Sequence, residues 1–428
     1  MVKFEYVASG LSFLRVNYSD TWSGDICDKL NGILSNLRGK HNHEFSFLYN
    51  AYTEKHLGEP FKNSFSGKGI KQVYADSGGL QMVTLGKKIK QPLQQLRQEV
   101  YESQAKYSHM ALSFDEMPIT VTSNDGRSRV LDTENRYFDR TIFEHCARQS
   151  GKNIKEQIET FIKHGSGAKP VFIVQGADCD TFVKWVELGL EEIPQELHEF
   201  IGGVALSGGG IGHDTLQDCK RAFYYTQLPL FGKVNHLHLL GVGSLRRLIP
   251  YLSFVSSGVY KDITISYDST THTSGVQMGR YYDRHGEWIN PGRYYKESQL
   301  RNIDYEKINE DIRYNLPDYI VDDDGFHTNM NLSVRKYETK YGSINPPIIA
   351  FNSFFVSTVM NFIRHVDSVV QDYNEIYNWM GEGEATALNA LRSVKTLDDF
   401  TKWTYGHGAC LPSAPVRDDA PSTLPEFA

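Results

Sequence analysis

The sequence predicts a (β/α)8 TIM barrel that is followed by a subdomain and by C-terminal helices. Eight short apolar runs recur between residues 11 and 269, and segments with helical periodicity separate them. Most of these runs are apolar throughout rather than alternating, which is typical of strands buried on both faces. Strands that alternate with helices indicate a parallel sheet. Eight such units in roughly 270 residues favour a closed barrel.

The alternative is an open doubly wound sheet, which commonly carries an early G-x-G-x-x-G motif with a distal acid. The sequence has no such combination, so the barrel is favoured. The predicted strands span residues 11–18, 46–52, 71–79, 110–116, 170–176, 201–210, 236–243 and 263–269.

The chain is expected to divide into four parts. Residues 1–275 form the predicted barrel, and residues 276–345 are rich in Tyr, Arg, Asn and Asp, as in a divergent subdomain. Residues 346–380 begin with a proline pair and read as one long amphipathic helix. This helix belongs to a helical region, 346–410, that should pack back on the barrel. Residues 411–428 are rich in Pro, Ser and Asp, which favours a flexible tail.

Composition narrows the functional classes. The net charge is −7, so the overall field does not favour nucleic acid, and any such contact must come from local basic patches. The five cysteines form no C-x-x-C pair, which indicates a reduced protein without a disulfide framework. No apolar run approaches the roughly 20 residues of a membrane span. We therefore expect a cytoplasmic protein without a membrane partner.

Polar residues follow several predicted strands at their carboxyl ends, where barrel enzymes carry their active sites. They include Asp76, Asp115, Gln175 and Asp268. A single aspartate at such a place is more often a helix cap or a turn former. Three carboxylates at one mouth would repel each other unless they had distinct roles. Carboxylates can act as nucleophile or as general acid and base at a glycosidic carbon, and carboxylate and amide groups can bind the edge of a purine.

Six short motifs, in the same order along the chain, resemble the queuine/archaeosine tRNA-guanine transglycosylase superfamily. They are DSGGLQ, SFDE, IVQGA, GGVALSG, LGVG and YDSTTHT, within residues 46–275. The resemblance implies a barrel pentosyltransferase that exchanges a guanine base through a covalent glycosyl-enzyme. It implies that Asp268 is the nucleophile that attacks C1′ and that Asp76 is the general acid/base.

The resemblance also implies a set of base-binding residues. They are Asp115, Gln175, Gly203, Val204, Leu80, Leu240, Ser77 and Gly241. Leu80 and Leu240 stand where the family has an aromatic residue and a methionine, so this pocket would hold the base with less π-stacking.

The chain also departs from the tRNA enzymes of that superfamily. They carry a structural zinc site with three cysteines and a histidine, but no cysteine lies between Cys219 and Cys410 here, and Phe351 stands at the histidine position. We therefore predict no zinc and no cofactor. Ser274 stands where the tRNA enzymes have an arginine.

In these departures the sequence resembles another branch of the superfamily, the DNA 7-deazaguanine transglycosylases. Many of these enzymes are encoded by bacteriophages. That branch implies DNA modification, restriction evasion and a location in the host cytoplasm. DNA and a 7-deazaguanine base such as preQ0 would be the partners. A tRNA-guanine transglycosylase remains the alternative. Two hypotheses from other functional classes are a non-catalytic nucleic-acid-binding barrel and a carbohydrate hydrolase.

Nucleic-acid contacts are expected from the segment after the nucleophile, which interleaves aromatic and basic residues. The candidates are Thr273, Arg280, Arg293 and Lys296. The alternative is that the aromatic residues form a small core. His236 and His238 alternate on a predicted strand, but no third metal ligand is evident, so packing is favoured. The sequence is compatible with an oligomer.

Overall fold

Eight parallel strands close into a barrel, which confirms the predicted (β/α)8 fold. The structure, a computed structural model, describes residues 2–10, 32, 34, 35, 37–39, 41–65, 69–79, 92–118, 121–124, 129–131, 138–207, 214–277, 280–289, 305–315 and 348–412. The strands are β1 (Lys3–Ala8), β2 (Phe45–Asn50), β3 (Ile70–Asp76), β4 (Met110–Leu112), β5 (Val121–Asn124), β6 (Arg129–Leu131), β7 (Lys169–Val174), β8 (Gly203–Leu206), β9 (His236–Leu239), β10 (Thr264–Ser269), β11 (Tyr281–Tyr282) and β12 (Trp288–Ile289). Around the barrel the order is β1-β10-β9-β8-β7-β4-β3-β2.

Helices follow most barrel strands and form an outer layer. They are α1 (Lys55–Glu59), α2 (Leu93–Tyr107), α3 (Phe143–Lys163), α4 (Cys179–Glu191), α5 (Thr215–Tyr225), α6 (Leu245–Ser256), α7 (Thr271–Gln277), α8 (Tyr305–Asn315), α9 (Ile348–Gln371), α10 (Ile376–Trp379), α11 (Glu382–Leu391) and α12 (Leu397–His407). Short 3₁₀ segments span Gln195–Phe200, Tyr373–Glu375 and Gly408–Cys410, and a π-helical segment spans Pro60–Phe65. None of the helices in the described ranges is long and apolar enough to cross a membrane.

The first barrel strand differs from the prediction. The run at residues 11–18 was predicted to be a strand, but the barrel uses Lys3–Ala8, and residues 11–18 lie outside the described part. Charged residues in this strand concealed it, because Glu5 is buried among polar partners rather than exposed. Ser46 donates a hydrogen bond to its carboxylate at 2.5 Å. The later predicted strands are confirmed by β2, β3, β4, β7, β8, β9 and β10.

Two apolar layers stabilise the barrel. The inner cluster comprises Val7, Leu48, Tyr74, Met110, Leu112, Val171, Ile173 and Ala205. A larger cluster joins strands to the outer helices, and Trp185 of α4 lies within it. The Trp185 indole N–H donates to the Ile173 carbonyl at 2.9 Å, which fixes α4 against β7. Burial of such aromatic side chains is a main source of stability.

The region after the barrel contains the antiparallel pair β11–β12 and helix α8. The helix predicted for residues 346–380 is interrupted, because α9 ends at Gln371 and a 3₁₀ turn follows. Asp372 caps this turn by accepting a hydrogen bond from the Asn374 N–H. Helix α9 packs on α6, α7 and β11. The antiparallel hairpin β5–β6, between β4 and α3, was not predicted.

Candidate active site at the barrel mouth

The structure brings four predicted residues together at the carboxyl ends of the strands. Asp76 ends β3, Asp115 follows β4, Gln175 follows β7, and Asp268 lies near the end of β10. Gln175 Nε2 donates to Asp115 Oδ2 at 2.6 Å. Charge repulsion from Asp115 and Asp268 acts on Asp76, so the three carboxylates share one electrostatic environment. The mouth therefore holds the acidic cluster that the strand ends indicated.

Asp76 is held by its neighbours, and its pKa is raised toward neutrality. Asn50, at the end of β2, donates from Nδ2 to Asp76 Oδ2 at 3.0 Å. Burial raises the pKa of Asp76 to about 7, and repulsion from Asp115 and Asp268 adds to this rise. Backbone N–H groups of the following turn partly oppose it. A group with this pKa can both donate and accept a proton near neutral pH.

The turn after Asp76 depends on glycine. Gly78 has a φ of +76°, a left-handed conformation that glycine adopts without strain. A Cβ at Gly79 would lie 3.3 Å from Asp115 Oδ1, so the absence of a side chain keeps space beside that carboxylate. Ser77 is buried in the same turn. The two glycines thus bring the backbone close to the acidic cluster.

Asp115 is the second carboxyl group with a raised pKa. Burial raises its pKa to about 6, and the hydrogen bond from Gln175 partly opposes the shift. Repulsion from Glu116 adds a smaller increase. Asp115 and Gln175 are 7% and 3% exposed, so together they form a buried polar pair at the barrel mouth.

Two buried glutamines hold the ends of β3 and β4. Gln104 of α2 donates from Nε2 to the Ala75 carbonyl at 3.2 Å and to the Leu112 carbonyl at 2.9 Å. Its Oε1 accepts from Gln157 of α3 at 2.7 Å. Because these bonds secure the backbone immediately before Asp76 and close to Asp115, the two carboxylates sit on a rigid support.

Asp268 is contacted at one carboxylate oxygen by two groups from the end of β9. The Gly241 N–H donates to Asp268 Oδ1 at 3.1 Å. His238 Nε2 lies 3.4 Å from the same oxygen. Gly241 has a φ of +68°, so the loop that presents this N–H also requires glycine.

A buried ion cluster fixes the Gly241 loop from behind. Arg247 of α6 donates from Nη1 to the Gly241 carbonyl at 2.6 Å and from Nε to Asp218 Oδ2 at 2.8 Å. Asp218 also forms an ion pair with Arg221. The carboxylate of Asp218 is fully buried, so its charge is stabilised by the two guanidinium groups. This arrangement positions the loop that in turn positions Asp268.

The predicted base-binding residues divide into those at the mouth and those elsewhere. Gly241 borders Asp268, and Ser77 lies in the turn after Asp76. Leu240 directly follows β9, is partly buried and packs on the inner barrel cluster. Leu80 lies outside the described residues.

Gly203 and Val204 are not at the mouth, which corrects their prediction. The glycine-rich run 201–210 was expected to be a strand end, but Gly203 begins β8, three residues or about 10 Å before its end at Leu206. A Cβ on Gly203 would lie 2.8 Å from His236 Cβ, so this glycine serves close strand packing. Val204 is buried in the cluster that joins strands to helices. Glycines 208–210, which follow β8, lie outside the described residues.

The predicted nucleic-acid contacts also divide. Thr273 is buried and donates from Oγ1 to the Ser9 carbonyl at 2.6 Å, so its role is structural and its prediction is corrected. Arg280 is exposed after α7, where it is available to a partner. Arg293 and Lys296 lie outside the described residues.

Histidine and aromatic residues fill the space behind Asp268. His272 is buried, its Nδ1 lies 3.0 Å from the Tyr6 hydroxyl, and its ring stacks on Trp288. Phe362 of α9 packs on the same histidine with ring centroids 4.5 Å apart. Within the described residues, no group of three or more His, Cys, Asp or Glu side chains is placed to hold a metal ion. Aromatic packing thus joins the barrel to α9.

The raised pKa of Asp76 predicts a pH-dependent stability. Its pKa rises from 3.8 unfolded to about 7 folded, so its contribution to stability is full at low pH and is lost as pH rises through about 7. Asp76→Asn removes this loss. We expect the stability advantage of the variant over the wild type to grow by on the order of 2 kcal/mol between about pH 5 and about pH 8.

Urea unfolding at the two pH values measures this difference. The control is Asp180→Asn, which removes an exposed carboxylate from α4 and should have the same effect at both. An equal effect of Asp76→Asn at both pH values would contradict the assigned environment of Asp76.

A scan against protein-family models finds no family that matches this chain, and a search of curated proteins finds no relative. The fold and the site therefore define its class: a (β/α)8-barrel protein with three carboxylates and an amide at the carboxyl ends of its strands.

Proposed function

We propose that this protein is a DNA-guanine transglycosylase that exchanges guanine in DNA for a 7-deazaguanine base such as preQ0. The observation that carries the proposal is the pairing of Asp268 and Asp76 at one barrel mouth beside the Asp115–Gln175 pair. Base exchange requires a nucleophile, a proton donor and a group that binds the base. The mouth offers a candidate for each requirement.

The first half-reaction uses Asp268 and Asp76. A carboxylate oxygen of Asp268 attacks C1′ and forms a covalent ester, while the bond from C1′ to the base nitrogen breaks and its electron pair leaves with guanine. Asp76 donates a proton to the departing base. The target nucleotide must leave the duplex stack to reach such a site.

The second half-reaction reverses these roles. Asp76, now ionised, accepts a proton from the incoming 7-deazaguanine, whose nitrogen attacks C1′ and releases Asp268. Two inversions at C1′ retain the original anomer, as in retaining glycosidases. The pKa of Asp76, about 7, suits a group that alternates between acid and base at neutral pH.

The Asp115–Gln175 pair suits recognition of guanine. A carboxylate accepts hydrogen bonds from N–H groups, and an amide can both donate and accept. The guanine edge presents N–H groups beside a carbonyl oxygen, so Asp115 would bind the N–H side and Gln175 the oxygen side. A 7-deazaguanine keeps that edge, which explains how one pocket would bind both the leaving and the incoming base.

DNA is preferred to tRNA as the polymer because of the region after Asp268. The three cysteines that hold zinc in the tRNA enzymes are missing from the sequence after Asp268, and Phe351 stands at the position of the zinc-binding histidine. A tRNA-guanine transglycosylase is the second candidate, since the proposed chemistry at the mouth would be the same.

The test supplies isotope-labelled preQ0 with duplex DNA, single-stranded DNA or a guanine-containing tRNA transcript. Mass spectrometry of the digested nucleosides measures incorporation. We expect label in DNA with the wild type, none with Asp268→Ala, and wild-type incorporation with the surface control Asp180→Ala. Label in tRNA alone would favour the second candidate, and label in neither polymer would overturn the proposal.

A further inference from the structure

A chain of buried polar side chains runs inside the barrel and ends at Asp268. We call it the barrel relay, and its members are Glu5, Tyr74, His236, Ser266 and His238. They lie on β1, β3, β9 and β10, and each is 5% exposed or less. Side chains two residues apart on a strand share a face, so Ser266 and Asp268 both point into the barrel, as do His236 and His238.

Short contacts join the members of the relay in order. The Tyr74 hydroxyl donates to Glu5 Oε1 at 3.1 Å and lies 3.4 Å from His236 Nε2. Ser266 Oγ lies 2.8 Å from His236 Nε2 and 2.7 Å from His238 Nδ1. His238 Nε2 then lies 3.4 Å from Asp268 Oδ1.

The positions of the hydrogens follow from counting donors. The Tyr74 hydroxyl gives its one hydrogen to Glu5, so it can only accept from His236 Nε2. His236 Nε2 must therefore carry a hydrogen, which it directs to the oxygens of Tyr74 and Ser266. Burial lowers the pKa of His236 to about 3, which keeps this ring neutral.

The same counting continues through Ser266. Because Ser266 accepts from His236, its own hydrogen is available for His238 Nδ1. A neutral imidazole that accepts at Nδ1 carries its hydrogen on Nε2. That nitrogen is buried, makes no hydrogen bond, and lies 3.4 Å from Asp268 Oδ1, so its hydrogen attracts the carboxylate electrostatically without a hydrogen bond. The opposite set of tautomers would place lone pairs against each other at both the Tyr74–His236 and the His238–Asp268 contacts.

We infer that His238 is a positioning residue whose Nε2–H attracts the Asp268 carboxylate across the 3.4 Å contact, and that the barrel relay imposes this tautomer through Ser266. The inference rests on the proposed function for the role of Asp268 as nucleophile. His238 and the Gly241 N–H both contact Asp268 Oδ1, so we assign Asp268 Oδ2 to the attack on C1′. His238 fixes the direction of that attack without touching the substrate.

Nitrogen NMR of histidine-labelled protein tests the tautomer directly. We expect a His238 signal with a protonated Nε2 and an unprotonated Nδ1, assigned by its loss in His238→Gln. Ser266→Ala should move His238 toward the other tautomer. Ser253→Ala, a buried serine of α6 outside the relay, should leave the signal unchanged. A wild-type His238 protonated at Nδ1, or at both nitrogens, would overturn the inference.

Kinetics of the chemical step test positioning. His238→Leu removes the donor while keeping similar bulk, and we expect single-turnover exchange to fall about 10²-fold with little change in KM. His238→Gln restores an N–H donor and should recover about tenfold of that loss. Equal activity of His238→Leu and the wild type would contradict the positioning role.

The two measurements separate the inference from the proposed function. Nitrogen signals report the tautomer whether or not base exchange occurs. A wild-type protein with no exchange activity would contradict the proposed function but would not affect the tautomer assignment. An active wild type with the wrong tautomer would remove the inference alone.

Discussion

Asp268→Asn is expected to abolish base exchange, with a loss of at least about 10⁴-fold in rate. The asparagine keeps the shape of the side chain. It can still accept the hydrogen bond that the Gly241 N–H donates to Asp268 Oδ1 at 3.1 Å in the wild type. It cannot form the carboxylate ester that the mechanism requires, because an amide is a poor nucleophile at carbon. Nucleoside mass spectrometry after long incubation with labelled preQ0 measures the residual rate.

Folding of the Asp268→Asn variant is the matched control. Its thermal midpoint should stay within a few degrees of the wild type, since only one charge at the mouth changes. Removal of that charge also lowers the repulsion on Asp76, so any change in stability should be a gain near neutral pH. A folded variant that keeps more than about a hundredth of the activity would contradict the nucleophile assignment.

Asp76→Asn is expected to lower the rate by about 10²- to 10⁴-fold, the usual contribution of a general acid or base. In the wild type, the first half-reaction needs protonated Asp76, whose pKa is raised to about 7 by burial and by its acidic neighbours. Guanine release should therefore slow as pH rises through about 7. The variant should lose this dependence together with most of its rate.

Guanine release under single-turnover conditions, followed across pH, checks this prediction. Asp115→Asn is the comparison variant, because Asp115 is also buried and its pKa is also raised, to about 6. Its loss should weaken base binding, seen as a higher KM for the incoming base. It should keep the pH dependence but shift it to lower pH, because the repulsion that Asp115 exerts on Asp76 is removed. A wild-type pH profile retained by Asp76→Asn would remove Asp76 from the acid/base role.

Most of the candidate site could be predicted from the polar residues at the ends of the apolar runs. Asp76, Asp115, Gln175 and Asp268 each close an apolar run, and in a parallel barrel such positions must meet at one mouth. The prediction failed for Gly203 because a glycine pair at the start of a short strand looks the same as one at its end. Nothing local distinguishes these cases, and the pairing of Gly203 with Val171 of β7 decides between them.

The supporting residues could not be predicted because their roles depend on distant partners. Asn50 gave a partial signal, as a polar residue that ends an apolar run. Arg247 supports the Gly241 loop through a hydrogen bond to a backbone carbonyl. His238 is a buried histidine whose tautomer depends on its contact with Ser266. The strand of Glu5 was missed for a similar reason, since its charge is satisfied inside the barrel by Ser46 and Lys71.

In the proposed mechanism, Asp268 forms a covalent bond to the sugar of a nucleotide in DNA. Incubation of the enzyme with guanine-containing DNA and no incoming base, followed by acid quenching and peptide mass spectrometry, tests it most directly. We expect a DNA–protein adduct mapped to Asp268, release of one guanine per adduct, and recovery of intact modified DNA when preQ0 is added. Exchange of labelled base by the wild type without any such adduct, or an adduct that persists in Asp268→Asn, would contradict the account.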